Sequence, residues 1–297
     1  MGKYDLTISD IETGVNRFLA EAYATATVSD NPELAYISGG PGAGKTAIEV
    51  YLKRQFKMKG ERAFEVNSDK IAEFHPQYDE ALEELPLECY KITRKFVRPA
   101  TPKIFDKLME SKINIINENT LDKGEPDIEI ARKFKQAGYK ITSNIMATDF
   151  LESRLSCFER EARTLMAGLT PRGCSMETQT RMYNSFIAGI KELDRQGLLD
   201  EINVYTRGEN INKSPVLKYK KGDKSYANFE EAIYMERKKQ RENIKKAPHA
   251  YINRISATEE TISKYGTNQE LTENALNRLL ELKNEFLEEL LKEELDK

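Results

Sequence analysis

Two histidines and three cysteines in 297 residues leave little for metal chemistry. Cys89, Cys157 and Cys174 form no CxxC pair and no zinc spacing, and His75 and His249 are too few for a His-rich metal site. The cysteines read as reduced thiols of a cytoplasmic protein. No apolar run approaches the ~20 residues that a membrane helix needs, so no membrane association is expected. The opening MGKYDLTISD has no apolar core for a secretory signal, and Leu6 stands where a myristoylation pattern requires Ser or Thr. A formal charge of −3 gives no argument for a nucleic-acid or membrane partner. No segment repeats with a period of roughly 20–50 residues.

What is present is a globular composition, 39% hydrophobic and 32% charged. Residues 8–26 predict a helix, with Ser9 and Glu12 at capping-box spacing and an apolar stripe of Ile11, Val15, Phe18, Leu19 and Tyr23. Short runs at 34–38, 63–66, 113–117, 139–147 and 202–206 predict strands, with Ile113, Ile115 and Ile116 supplying β-branched bulk in the third. Helical patterns at 45–58, 100–111, 126–137, 150–168 and 177–196 lie among them. Strands alternating with helices predict a parallel α/β sheet covered on both faces. After Gly208 the character changes to a charge run at 234–246 and an amphipathic stretch at 271–297. The latter carries Leu276, Leu279, Leu280, Phe286, Leu287, Leu290 and Leu291 on or near one face. The expected division is a domain over 1–208 and a helical extension over 209–297, packed on the body or on itself, or offered to a partner. The lysines and arginines of the charge run alternate with glutamates, which argues against nucleic-acid binding by it.

The strand at 34–38 runs into Gly39-Gly40-Pro41-Gly42-Ala43-Gly44-Lys45-Thr46 and then a helix, which is the setting that G-x-x-x-x-G-K-[ST] requires. Glycines let backbone N–H groups converge on phosphate oxygens, and the helix adds its positive end. Lys45 would reach the β- and γ-phosphates, and the Thr46 hydroxyl would hold Mg²⁺. The site is read as one for ATP and Mg²⁺. No N-K-x-D loop reads guanine, and the strand at 113–117 runs into Glu118 without the usual Asp of a motor ATPase. A small-molecule kinase needs a carboxylate just past the second strand to deprotonate its acceptor, and Asp69 lies there. Asp69 is also a residue type suited to capping the next helix. Arg160, Arg163 and Arg172, around a helix–loop, are candidate lid cations. His75 reads as a packed turn residue and Cys157 as a small apolar filler.

In order and spacing these segments resemble the zeta toxin family, kinases of bacterial toxin–antitoxin systems. GGPGAGKT is similar to that family's phosphate loop, VNSDKIAEFHPQY to its acidic strand end, and INIINENT to its third strand. KQAGYKITSNIMA, FERE, TPR and LLDEINVYTRG continue the likeness over roughly residues 30–208. The resemblance implies an α/β P-loop kinase with a central parallel sheet and a helical lid, to which the residues after Gly208 add a C-terminal helical region. It implies ATP-dependent phosphorylation of the 3′-hydroxyl of the amino sugar in UDP-N-acetylglucosamine, whose product inhibits cell-wall synthesis. On that resemblance Asp69 is the general base, Lys45 and Thr46 hold phosphates and Mg²⁺, and Glu118 and Thr120 contact the substrate. Arg160 and Arg172 clamp the transferring phosphate. A small helical antitoxin is the implied partner, either a separate chain or one built from residues 225–297.

Three positions depart from that pattern: Asn67 where an acid is common, Asp122 where an arginine is, and Pro102 near a usual substrate-binding acid. An acid in place of an arginine reverses the local preference for a diphosphate. Another UDP-sugar therefore stays open as acceptor. So does a P-loop kinase of a nucleoside, NAD or a polynucleotide end, or a nucleotide-dependent interaction module.

Overall fold

The computed structural model describes residues 3–86, 88–121, 124–171, 175–208 and 214–295. The chain opens with α1 (Ile8–Thr25), β1 (Glu33–Ser38), α2 (Lys45–Met58) and β2 (Phe64–Asn67). It continues through α3 (Ser68–Ala72), α4 (Tyr78–Glu84), α5 (Cys89–Glu110), β3 (Ile115–Glu118), α6 (Glu125–Gln136) and β4 (Lys140–Met146). Then follow α7 (Phe150–Met166), α8 (Met176–Arg195), β5 (Glu201–Thr206) and β6 (Val216–Lys220). The chain closes with α9 (Phe229–Lys246), α10 (Pro248–Tyr265) and α11 (Gln269–Leu295).

The strands form a six-stranded sheet in the order β2-β3-β1-β4-β5-β6. β1 to β5 run parallel, and β6 adds an antiparallel edge on β5. Alternation along β1 builds two layers. Leu34 and Tyr36 face a core with Phe18, Phe96, Ile104, Phe134, Phe186 and Ile233 from α1, α5, α6, α8 and α9. Ala35 and Ile37 face Ile48, Leu52 and Phe56 of α2. A separate core joins Leu151, Leu155 and Phe158 of α7 to Tyr251 and Ile255 of α10 and to Leu279, Leu282 and Phe286 of α11. None of the described helices is long and apolar enough to cross a membrane.

Several local readings change. The first helix is capped by Thr7 with Asp10, so Ser9 and Glu12 lie inside it, and its stripe closes on Ala22 while Tyr23 is 48% exposed. α5 begins eleven residues before the expected position 100, despite Pro99 and Pro102 inside it. Each proline removes a backbone hydrogen bond. The buried row Cys89, Thr93, Phe96, Ala100, Ile104 and Leu108 runs unbroken past both, and that burial carries the helix across. β6 escaped notice because only Tyr219 of its residues is buried, so it lacks alternation and is defined by its partner β5. In α11 the buried row is Ala275, Leu279, Leu282 and Phe286, while Leu280 and Leu291 are 55% and 60% exposed. The apolar face is narrower than the leucine count suggests.

His75 is buried in the turn between α3 and α4, where its Nδ1 accepts a hydrogen bond from the Gln77 N–H at 3.0 Å. Burial lowers its pKa below the ordinary 6.5, against the pull of Asp10. Below 6.5 the unfolded chain therefore binds a proton that the folded chain resists. This contribution to stability is full above 6.5 and is lost as pH falls through 6.5 toward the folded value. Thermal unfolding should show stability falling below that pH, with His75→Gln lacking this component. An identical pH profile for the variant would refute it.

Candidate active site

The loop between β1 and α2 is shaped from outside. The Ser153 hydroxyl donates to the Pro41 carbonyl at 2.5 Å, and the Thr148 hydroxyl to the Ala43 carbonyl at 2.7 Å. Arg207 donates from Nε to the Ala43 carbonyl at 2.9 Å and from Nη2 to the Gly42 carbonyl. In a trans peptide the N–H points opposite to the carbonyl. Holding the Pro41 and Ala43 carbonyls outward thus aims the N–H groups of Gly42 and Gly44 to the other side. Gly42 and Gly44 have φ of 73° and 97°, and a Cβ on Gly42 would stand 2.2 Å from the Ser153 carbonyl oxygen. Only glycine fits position 42 without displacing α7. The N-terminus of α2 has no side-chain cap and no acid in its first turn, leaving its positive end for an anion. These features fit a triphosphate. Thr46 is exposed in that same turn, and its hydroxyl is the kind of oxygen ligand that Mg²⁺ takes beside phosphates.

Lys45 Nζ donates to the carbonyls of Gly39 and Gly40 at 3.1 and 3.0 Å, and lies 3.4 Å from Glu118 Oε1. Glu118 ends β3, in register with Ile37 of β1 and Asn67 of β2. Asp69, exposed, sits two residues past Asn67 in α3, so Lys45, Glu118 and Asp69 share the carboxyl edge of the sheet. That edge is where ligands bind in open α/β sheets. The residue capping α3 is Asn67, whose Oδ1 accepts from the Lys70 N–H at 2.7 Å, rather than Asp69. Asn67 Nδ2 donates to Glu65 at 2.6 Å. Burial raises the Glu49 carboxyl above its ordinary 4.5. Burial also opposes ionisation of Glu65, but hydrogen bonds from Glu49 and Lys53 hold that carboxyl below its ordinary value.

Thr120, half-buried, lies in the turn after β3. The Ser38 hydroxyl donates to the Asn119 carbonyl at 2.9 Å, and Asn119 Oδ1 accepts from the Leu121 N–H at 3.1 Å. Asn119 Nδ2 donates to Asp127 at 3.3 Å. Leu121 is 1% exposed with φ of 50°, a conformation costing on the order of 1–3 kcal/mol for a side-chain-bearing residue. Its carbonyl oxygen lies 1.9 Å from where a Cβ on Gly189 of α8 would be, so glycine there admits the turn.

On α7, Ser153 and Cys157 meet the loop, the Cys157 Sγ standing 2.8 Å from the position of a Gly42 Cβ. Arg160 follows on the same stripe, at i+7 and i+3, and is exposed. It projects from the next turn of the helix that backs the phosphate loop. Arg172 and Asp122 lie outside the described residues, as does Cys174. Sequence reasoning missed Arg207, Thr148 and Tyr183. Tyr183 donates its hydroxyl to the Thr148 carbonyl at 2.9 Å and packs against Gly40. Thr148 and Arg207 stand two residues and one residue past the carboxyl ends of β4 and β5, and that position at the edge that bears the loop was the available signal.

A family model described as Zeta toxin matches residues 19–214. No curated protein sequence matches the chain. A solved structure from the PezAT chromosomal toxin–antitoxin system of the human pathogen Streptococcus pneumoniae superposes with a TM-score of 0.68 at 20% identity, covering 87% of this chain and 100% of that one. The AvrRxo1-ORF1:ORF2 complex with ATP gives 0.56 at 15% identity, covering 92% of this chain and 90% of that one. The same complex with sulphate ions gives 0.53 at 14% identity, covering 92% and 85%. At these identities the likeness is one of fold, a mostly parallel sheet flanked by helices.

Proposed function

The chain belongs to the zeta toxin family, and from that premise we propose that it is an ATP-dependent kinase of a sugar nucleotide. The acceptor is the 3′-hydroxyl of the sugar in UDP-N-acetylglucosamine or a related UDP-sugar, and the phosphorylated product inhibits cell-wall synthesis. One observation carries this reading: Lys45 lies 3.4 Å from Glu118 at the sheet edge that also bears Asp69. A phosphate-binding cation thereby adjoins one carboxylate and shares its sheet edge with a second that an acceptor hydroxyl can approach.

The loop amides and Lys45 hold the phosphates of ATP. Mg²⁺, held at Thr46, would neutralise phosphate charge. Asp69 takes the proton of the acceptor hydroxyl as its oxygen attacks the γ-phosphorus in line, and the opposite bond to the bridging oxygen breaks to release ADP. Glu118 and Thr120 orient the sugar, and Arg160, with Arg172, offsets charge on the transferring group. A small helical antitoxin is the expected partner. It is either a separate chain or one built from residues 225–297, part of which shares a core with α7.

The purified chain should be given ATP with a panel of UDP-sugars, NAD and 5′-hydroxyl oligonucleotides. Mass spectrometry is expected to find one added phosphate on a UDP-sugar. Phosphorylation of the oligonucleotide or NAD alone would overturn the sugar reading.

A further inference from the structure

The helices beyond residue 214 fall outside the matched family segment, and the chemistry above gives them no task. Their contacts lead to the phosphate loop. Arg207, which grips the Gly42 and Ala43 carbonyls, also donates from Nη1 to Glu152 Oε1 at 2.8 Å and to the Ser156 hydroxyl at 3.0 Å. Glu152, in the first turn of α7, is in turn held by Arg254 of α10. Arg254 donates from Nη1 and Nη2 to the two carboxylate oxygens at 2.7 and 3.0 Å, and from Nε to Glu159 at 2.9 Å. The Glu152 side chain is only 18% exposed. Burial alone would raise its pKa, but the Arg254 hydrogen bond and the charges of Arg254 and Arg207 outweigh that and hold it ionised, below 4.5.

We propose that Arg254 is a positioning residue of the nucleotide site: through Glu152 it orients Arg207, which sets the carbonyls of the phosphate loop. Residues 248–265 are on this view a working part of the ATP site. The physical reason is geometric. Arg207 has a planar fork and must satisfy two loop carbonyls and one carboxylate together. Glu152 can serve Arg207 only from the rotamer that the bidentate Arg254 enforces. Without Arg254, Glu152 is released, and the loop amides lose their fixed aim. The inference rests on the reading of this loop as an ATP site.

The test is ATP–Mg²⁺ affinity by calorimetry on the full chain, which needs no knowledge of the acceptor. Arg254→Ala should weaken ATP about 10-fold, and Arg254→Lys, keeping the charge without the fork, should recover part of the loss. Glu152→Gln should weaken ATP by a similar factor, and the double variant by no more than either alone. Arg278→Ala is the matched comparison. It severs a buried pair between α11 and Glu161 of α7 at 2.9 Å, so it should lower the melting temperature and leave ATP affinity unchanged. Wild-type affinity in Arg254→Ala, or an equal loss in Arg278→Ala, would overturn the proposal. A wild-type chain that binds no ATP would overturn the kinase reading itself, and this proposal with it.

Discussion

Lys45→Ala is expected to lower phosphoryl transfer by about 10³-fold, weaken ATP binding and abolish growth inhibition on overexpression. The Lys45 ammonium, with a side chain only 14% exposed, sits between the Gly39 and Gly40 carbonyls and Glu118. Removing it deprives the terminal phosphates of their nearest cation. It also leaves Glu118 facing those phosphates without its counter-charge, so two losses act in the same direction. Because its hydrogen-bond acceptors are carbonyls of the loop itself, the fold should persist, with a melting temperature close to wild type. Turnover within 10-fold of wild type at saturating ATP would show that the phosphates do not sit against this helix.

Asp69→Asn should behave differently: kcat falls by about 10²–10⁴ while ATP affinity survives. The amide keeps the shape of the side chain and loses only the ability to take a proton. Asp69 is exposed at the start of α3, and Asn67 already supplies the cap, so folding does not depend on the carboxylate as a cap. ATP affinity should therefore stay near wild type while the acceptor is bound but not phosphorylated. A loss smaller than 3-fold would move the base role from Asp69 to Glu118, the other carboxylate at this edge. Glu118→Gln assayed alongside would then show the larger drop.

The phosphate loop and its flanks were the most legible part of the chain. The helix read at 45–58 is α2, and the strands read at 34–38 and 202–206 are β1 and β5 within a residue. Local chemistry decides these: glycines at positive φ, a lysine at the helix start, and short runs that are buried almost throughout. The placement of Asp69 and Glu118 followed from strand ends, since a parallel sheet brings all its carboxyl ends to one edge. α5 was half hidden because its prolines argue for a break while its burial argues against one. α10 was missed because its apolar residues are few, and their partners lie on α7 and α11.

By itself the sequence determined the class of fold, the glycine-rich loop between β1 and α2, and the acidic residues at the neighbouring strand ends. Those are properties of short segments, and short-range periodicity and backbone permissiveness specify them. Only the tertiary structure decided what shapes that loop. Arg207, Thr148 and Ser153 hold its carbonyls, and Arg254, more than two hundred residues along, holds the acid that holds Arg207. A hydrogen-bond chain between residues so far apart in sequence leaves no periodic trace. It exists only once packing of α10 against α7 has brought the fork and the carboxylate together.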